Sequence, residues 1–386
     1  MFKFFIIFIS YLLIFINSYS LADEKNKILK VGLLAPFSGE YKDLGQSIML
    51  SLQLALSEIG DDSITILPRD SGSNNEELLI NSIEQLKDED VKVIIGPINY
   101  KDFPKIKKYS DLVFISPSNT DPKIQNNIIS IGISLESQIK AITEFIKKQK
   151  KTKTIILYPK NEYTDLIDSK LSNLQLSNYK VFKYDPDPKK LTGDIEKLTN
   201  YKQRKINLQS RVKMLENKDD EASKIELKKL EQRYTIGKIN FDSVIIIDFG
   251  NSLKSVLTSL VFVDVDQSDV LITTVNQWFD KSIFLENSIK TLYYPSINQK
   301  NFIKNKDKFS KVFGTNPSEI TILTYDALGL IYYVWKKNDN KIDSLKDFVI
   351  KDRIKGKIGT FNFKNGQFLQ ELDIYKVSNK LMPISE

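Results

Sequence analysis

Chemistry in this chain has to come from hydroxyls, amides, carboxylates and lysines, because its 386 residues include no histidine and no cysteine. Ser-His-Asp and Cys-His nucleophile systems are therefore excluded, as are zinc sites built on those ligands. Carboxylate metal sites and paired-carboxylate glycosidase chemistry survive in principle. The sequence nevertheless has no calcium-loop spacing and no Gly-rich phosphate loop. What it offers is polar side chains in short loops: Ser38 within Pro36–Asp43, Tyr100 within Gly96–Lys101, and Ser118, Asn119 and Thr120 within Ser116–Thr120. Groups of these types donate and accept hydrogen bonds but supply no nucleophile with its base. No enzyme is expected from them, and no cofactor is called for.

The elements that must position these groups follow from apolar periodicity. Ile28–Ala35 is an aliphatic run of strand length. After Gly45 the apolar residues Ile48, Leu52, Ala55, Leu56 and Ile59 recur at three and four, which predicts a helix. Strand, loop and helix make half a βαβ unit, so a parallel sheet is expected, with ligands outside the carboxyl ends of its strands. Further strands are predicted at Ser63–Pro68, Val91–Ile95 and Leu112–Ile115. The three polar loops should then share one edge.

A second αβ series follows: helix Leu135–Ile146, strand Thr154–Tyr158, helix Glu162–Leu176, strand Tyr179–Tyr184, strand Ser243–Asp248, helix Ser252–Phe262 and strand Val270–Thr274. Two strand clusters predict two α/β lobes, with the chain crossing near Ile131–Ser134 and Tyr294–Ile297. Phe302–Phe313 and Thr321–Trp335 read as helices. Gly359–Phe363 and Phe368–Val377 read as a hairpin about Asn365-Gly366. Leu191–Tyr234 breaks the rhythm: it has no proline, one glycine and many charges, and it reads as a projecting helix or helical hairpin bent near Asn217–Asp220.

The run VGLLAPFSGEYKDLGQS, with IIGPINY at Ile94–Tyr100 and ISPSNTDP at Ile115–Pro122, resembles the type I periplasmic binding proteins of the leucine/isoleucine/valine-binding group. The resemblance implies an α/β, two-lobed type I periplasmic-binding-protein fold, each lobe a mostly parallel sheet flanked by helices, with a charged helical insertion. It implies lobe 1 at 28–132 plus 297–352, lobe 2 at 133–296 plus 353–386, and the insertion at 191–234. In the family's amino-acid receptors a ligand carboxylate meets loop hydroxyls and helix N-termini, and its ammonium meets a carboxylate. Ser118 and Thr120 match the first-lobe contacts, with Asn119 between them and Ser38 in the first loop. Tyr100 stands where the family usually offers a serine. Tyr163, Asp248 and Trp278 are the second-lobe candidates. The family's acidic residue is missing from VNQW, and Asp248 either replaces it or caps the following helix. The function implied is capture of an amino-acid-like solute for an ABC permease. LPRDSG, FDSVIIIDFG, TYDALGL and a final FNFKNG also look similar to activators of penicillin-binding proteins. Those touch a peptidoglycan synthase and carry no solute.

The formal net charge is +7, but only five of the 56 basic residues are arginine and the lysines are spread along the chain. That reads as compositional bias, with no nucleic-acid motif beside it. Lys3, the apolar Phe4–Ile16 and Ser20-Leu21-Ala22 predict a signal peptide over 1–22, cleaved before Asp23. The expected product is periplasmic, not membrane-spanning after cleavage, and without the cysteine that a lipid anchor needs.

Overall fold

The computed structural model describes residues 27–119, 127–172, 174, 176, 178–265, 268–277, 291–364, 367–377 and 382–383. The predicted signal segment, Thr120, Trp278 and Asn365-Gly366 lie outside the described residues.

The first apolar run is strand β1, Leu29–Ala35. Val31, Leu33 and Ala35 pack on one face and Leu34 on the other. A strand covered on both faces shows no alternation, hence the continuous run. Helix α1 (Lys42–Ile59), β2 (Ile64–Asp70), α2 (Glu76–Asp88), β3 (Val93–Ile95), the short α3 (Phe103–Ile106), β4 (Val113–Ser116) and β5 (Ile128–Ser130) complete the first lobe. Asn75 starts α2 by accepting the Leu78 N–H at 3.1 Å. The sheet order is β2-β1-β3-β4-β5, parallel throughout. The loops after β1, β3 and β4 therefore leave one edge, as expected.

The second lobe holds α4 (Leu135–Lys148), β6 (Thr154–Pro159), α5 (Thr164–Leu171), β7 (Tyr179–Tyr184), α6 (Pro188–Leu198), α7 (Tyr201–Glu216), α8 (Glu221–Leu230), β8 (Ser243–Ile246), α9 (Gly250–Phe262), β9 (Leu271–Thr274) and β10 (Tyr293–Ser296). Strands β7, β6, β8, β9 and β10 run parallel. Ile155, Leu157, Val244 and Ile246 face one core cluster, and Ile156, Tyr158, Ile245 and Ile247 face another.

Helices α10 (Gln299–Phe313) and α11 (Glu319–Lys337) follow. Leu328, Ile331 and Trp335 of α11 share one core with Ile48, Leu52 and Ala55 of α1. Burying each such side chain contributes roughly 1.5–3 kcal/mol before chain entropy is counted. A small antiparallel sheet, β11 (Ile354–Lys355), β12 (Thr360–Lys364) and β13 (Gln367–Gln370), comes next. Then β14 (Asp373–Lys376) and β15 (Met382–Pro383) extend the second sheet in antiparallel sense.

Four expectations change. Helix α5 is shorter than Glu162–Leu176, because the buried Ile167 and Leu171 are followed by Leu176, off the helical spacing. The hairpin limb Phe368–Val377 is two strands in two sheets. The Glu371 N–H bonds Thr360 O at 2.8 Å beside the last rung, Leu372 then packs against the crossover cluster, and β14 joins β10. The stretch 353–386, expected with lobe 2, is likewise divided, since Phe361 and Phe368 pack in the first lobe's core. Segment 191–234 also divides. Leu191 and Ile195 of α6 lie in the second lobe's core, and the projecting part is the α7–α8 hairpin. Its bend falls between Asn217 and Asp220, as the sequence suggested.

Candidate functional site

The site expected at the sheet edges can be followed strand by strand. After β1, Asp70 at the end of β2 holds the first loop, accepting the N–H groups of Phe37 at 3.1 Å and Gly72 at 2.9 Å. Burial works to raise its pKa, but the Ser38 hydroxyl and the N–H groups of Gly72, Phe37 and Ser38 outweigh it and hold the pKa low. Ser38 is thus exposed yet tied to Asp70, and its carbonyl accepts Ser73 Oγ at 2.8 Å. Gly45 lets α1 start against this loop: a Cβ there would lie 2.1 Å from Pro36 O.

The loops after β3 and β4 are joined by Ser116 Oγ, which donates to Pro97 O at 2.6 Å and accepts the Ser118 N–H at 3.2 Å. Ser118 is only 4% exposed. Its carbonyl would be 2.1 Å from a Cβ on Gly132, so the first crossover passes directly over it. Asn119 is occupied: its Oδ1 accepts the Ile133 N–H at 2.7 Å.

In the second lobe, Tyr163 precedes α5 and lies near Tyr100 of the first lobe. Burial, then Tyr100 and Glu162, push its pKa up to about 12, so it stays a neutral hydrogen-bonding group.

Asp248 is buried at the end of β8. Its carboxylate accepts from the hydroxyls of Tyr184 and Ser252 and from the Phe249 N–H at 2.8 Å. Burial raises its pKa while those three bonds oppose the rise. All its partners are the chain's own, and two of them open helix α9. Of the two roles the sequence allowed, the geometry is that of a helix-start anchor.

The loop after β9 is also turned inward. Asn276 and Gln277 are 0% and 2% exposed. Gln277 Nε2 donates to Asp248 O at 3.0 Å and its Oε1 accepts the Gly250 N–H at 2.9 Å. The Asn276 N–H donates to Gln138 Oε1 at 2.7 Å, and Gln138 Nε2 to Ile133 O at 3.1 Å. Asn276 Nδ2 donates to Pro295 O and Ser296 Oγ, both at 3.0 Å, and to Glu319 Oε2 at 3.3 Å. Gln299 Nε2 adds Ser296 Oγ at 2.8 Å and Glu319 Oε1 at 3.0 Å.

Sequence reasoning missed this buried polar hub at the crossovers. Its one legible trace is Gln138, a polar residue on the apolar face of a strongly amphipathic helix. The structure thus brings Ser38, Ser118 and Asn119 to one edge of lobe 1. It brings Tyr163 to Tyr100, and it withdraws Asp248 into the second lobe. Among the described residues no group of three or more Asp or Glu side chains could hold a metal ion, and no helix is long and apolar enough to cross a membrane.

Comparison with known proteins agrees with this architecture. Residues 28–173 match the periplasmic binding protein family. No curated protein sequence matches the chain. The C-domain of LpoA (YraM) from Haemophilus influenzae, a regulator of PBP1A, superposes with TM-score 0.60 at 12% identity, covering 92% of this chain and 100% of that one. Against full-length LpoA the match covers 93% of this chain and 59% of the other, with TM-score 0.59 at 13% identity. The branched-chain amino acid ABC transporter periplasmic ligand-binding protein of Burkholderia xenovorans gives TM-score 0.61 at 13% identity, covering 92% and 94%. Streptococcus pneumoniae LivJ, in complex with isoleucine, gives 0.53 at 16%, covering 92% and 100%. With its sequence match over 28–173 and its two lobes of mostly parallel sheet, the chain is a protein of the type I periplasmic-binding-protein fold.

Proposed function

We propose that the protein is a non-enzymatic, extracytoplasmic binding protein that acts by touching another protein, a peptidoglycan synthase, and does not ferry a solute. One observation carries this reading: the second-lobe groups that an amino-acid ligand would need are already bonded within the chain. Asp248 has three internal donors, and Asn276 and Gln277, at the place of the family's acidic residue, face inward. Re-aiming any of them would leave a buried partner unpaired, at about 1–3 kcal/mol each. The likeness to LpoA, a regulator of PBP1A, supports the same reading, and so does the predicted signal segment.

A second reading, capture of an amino-acid-like solute for an ABC permease, draws on the nearness of Tyr163 to Tyr100 across the lobes, as a closed cleft would have it. On that reading Ser118 and Thr120 would take the carboxylate and Trp278 would pack on the side chain.

Glycan polymerisation by the organism's own purified synthase, followed with increasing amounts of the protein, separates the two. A saturable change in rate is expected. An unchanged rate at micromolar excess would remove the protein-contact reading.

A further inference from the structure

We infer that the α7–α8 hairpin is a docking arm for an acidic protein face with an apolar centre. This rests on the protein-contact reading above and assigns that contact to one surface. The first ground is that the arm is fixed in place. Arg204, 6% exposed, donates from Nη1 to Val263 O at 3.1 Å and from Nη2 to Asp264 O at 3.0 Å, where α9 ends. Past the end of α8, Thr235 donates its N–H and hydroxyl to Asp264 Oδ2 at 3.1 and 2.8 Å, and the Ile236 N–H bonds Arg204 O at 3.2 Å. Between the helices Arg211 grips Glu226 with two bonds, at 2.8 and 2.7 Å. A burial-costly guanidinium bonded to two backbone carbonyls where α9 ends sets the direction of a projecting element relative to the lobe.

The second ground is the surface that this fixing presents. From Tyr201 to Leu230 there are nine Lys or Arg against five Asp or Glu. On the outer side of α7, Lys202, Lys205, Ile206, Gln209, Lys213 and Met214 recur at helical spacing and all are exposed. Ile206 is 52% and Met214 45% exposed. None of the three lysines forms an ion pair among the described residues. Aliphatic residues ringed by unpaired ammonium groups fit an acidic strip around an apolar knob. A lipid surface fits less well, because the exposed tip residues Glu216, Asp219, Asp220 and Glu221 would be driven towards anionic headgroups.

The test immobilises the purified peptidoglycan synthase and measures the affinity of the full chain and two variants, Lys202→Glu/Lys205→Glu/Lys213→Glu and Ile206→Ser/Met214→Ser. All five side chains are exposed, so both variants should melt close to the wild type. Each should bind about tenfold or more weakly, and wild-type affinity should fall with added salt. If either variant misfolds, the other still decides. Wild-type affinity in both folded variants would overturn the docking arm and leave the protein-contact reading standing. No synthase binding by any form would remove both. Phosphatidylglycerol vesicles that bind the wild type and lose the variants, with synthase affinity unchanged, would replace the protein partner by a membrane.

Discussion

Asp248 shows at the residue scale how a strand-terminal carboxylate can be structural. Its acceptors are filled by Tyr184, Ser252 and Phe249, and Tyr184 is fully buried. Removing either partner of the Tyr184–Asp248 bond strands the other, so a double-mutant cycle of Tyr184→Phe and Asp248→Ala should return a coupling of about 1–3 kcal/mol in urea unfolding. Additive effects would show that the two do not depend on each other. Asp326 gives a second test. It is buried among the N–H groups of Lys357, Ile358 and Gly359 at 2.8–3.0 Å, and burial, opposed by those bonds, pushes its pKa from 3.8 up to about 6. The folded carboxyl keeps its proton at a pH where the unfolded one has lost it. Its stabilisation is therefore fully present below the unfolded pKa and is lost as pH rises through about 6. The stability advantage of wild type over Asp326→Asn should shrink between pH 4.5 and 7; growth of that advantage would contradict the assignment. Sequence alone left Asp248 open between ligand contact and helix start, because spacing does not reveal that Tyr184, 64 residues away, points at it. Ser118 was legible as a strand-end hydroxyl, but its position beneath Gly132 was not.

Elements were legible where one periodicity ran uninterrupted. β1, α1, α4 and β6 were readable because each buries a continuous run or a single stripe. The limb from Phe368 to Val377 was not, since both of its halves alternate like strands and only tertiary packing sends them to different sheets. The charged segment was readable as a projecting helix or helical hairpin with a bend near Asn217–Asp220. Its root was not, because an arginine in a lysine-rich stretch gives no sign of reaching the carbonyls of Val263 and Asp264. That root supplies the element-scale prediction. Arg204→Ala should leave those carbonyls without their donors, lower stability by about 1–3 kcal/mol, and raise amide exchange in α7 and α8 above that in β8. Equal exchange in wild type and variant would show that Arg204 does not fix the arm. An excision of the arm has to begin beyond Thr199, since Ile195 and Thr199 are buried with the second lobe's core.

At the scale of the whole molecule, the crossover at Ile131–Ser134, the one at Tyr294–Ile297 and a third about Leu372 are bound by the Gln138–Asn276–Ser296–Glu319 hub and by Ile133, Ile297 and Phe302. Tyr100 and Tyr163 also lie near each other across the lobes. We propose that the described cleft groups serve the protein itself and hold no solute. Thermal unfolding in the presence of each of the twenty amino acids and a set of small carboxylates, at millimolar concentration, tests it most directly. A ligand at a hundred times its Kd stabilises the native state by about 2.7 kcal/mol, a shift of several degrees for a domain of ordinary size. No shift above about 1 °C is expected, against the several degrees that such binding brings. A concentration-dependent rise of several degrees with one amino acid, abolished by Ser118→Ala, would contradict it.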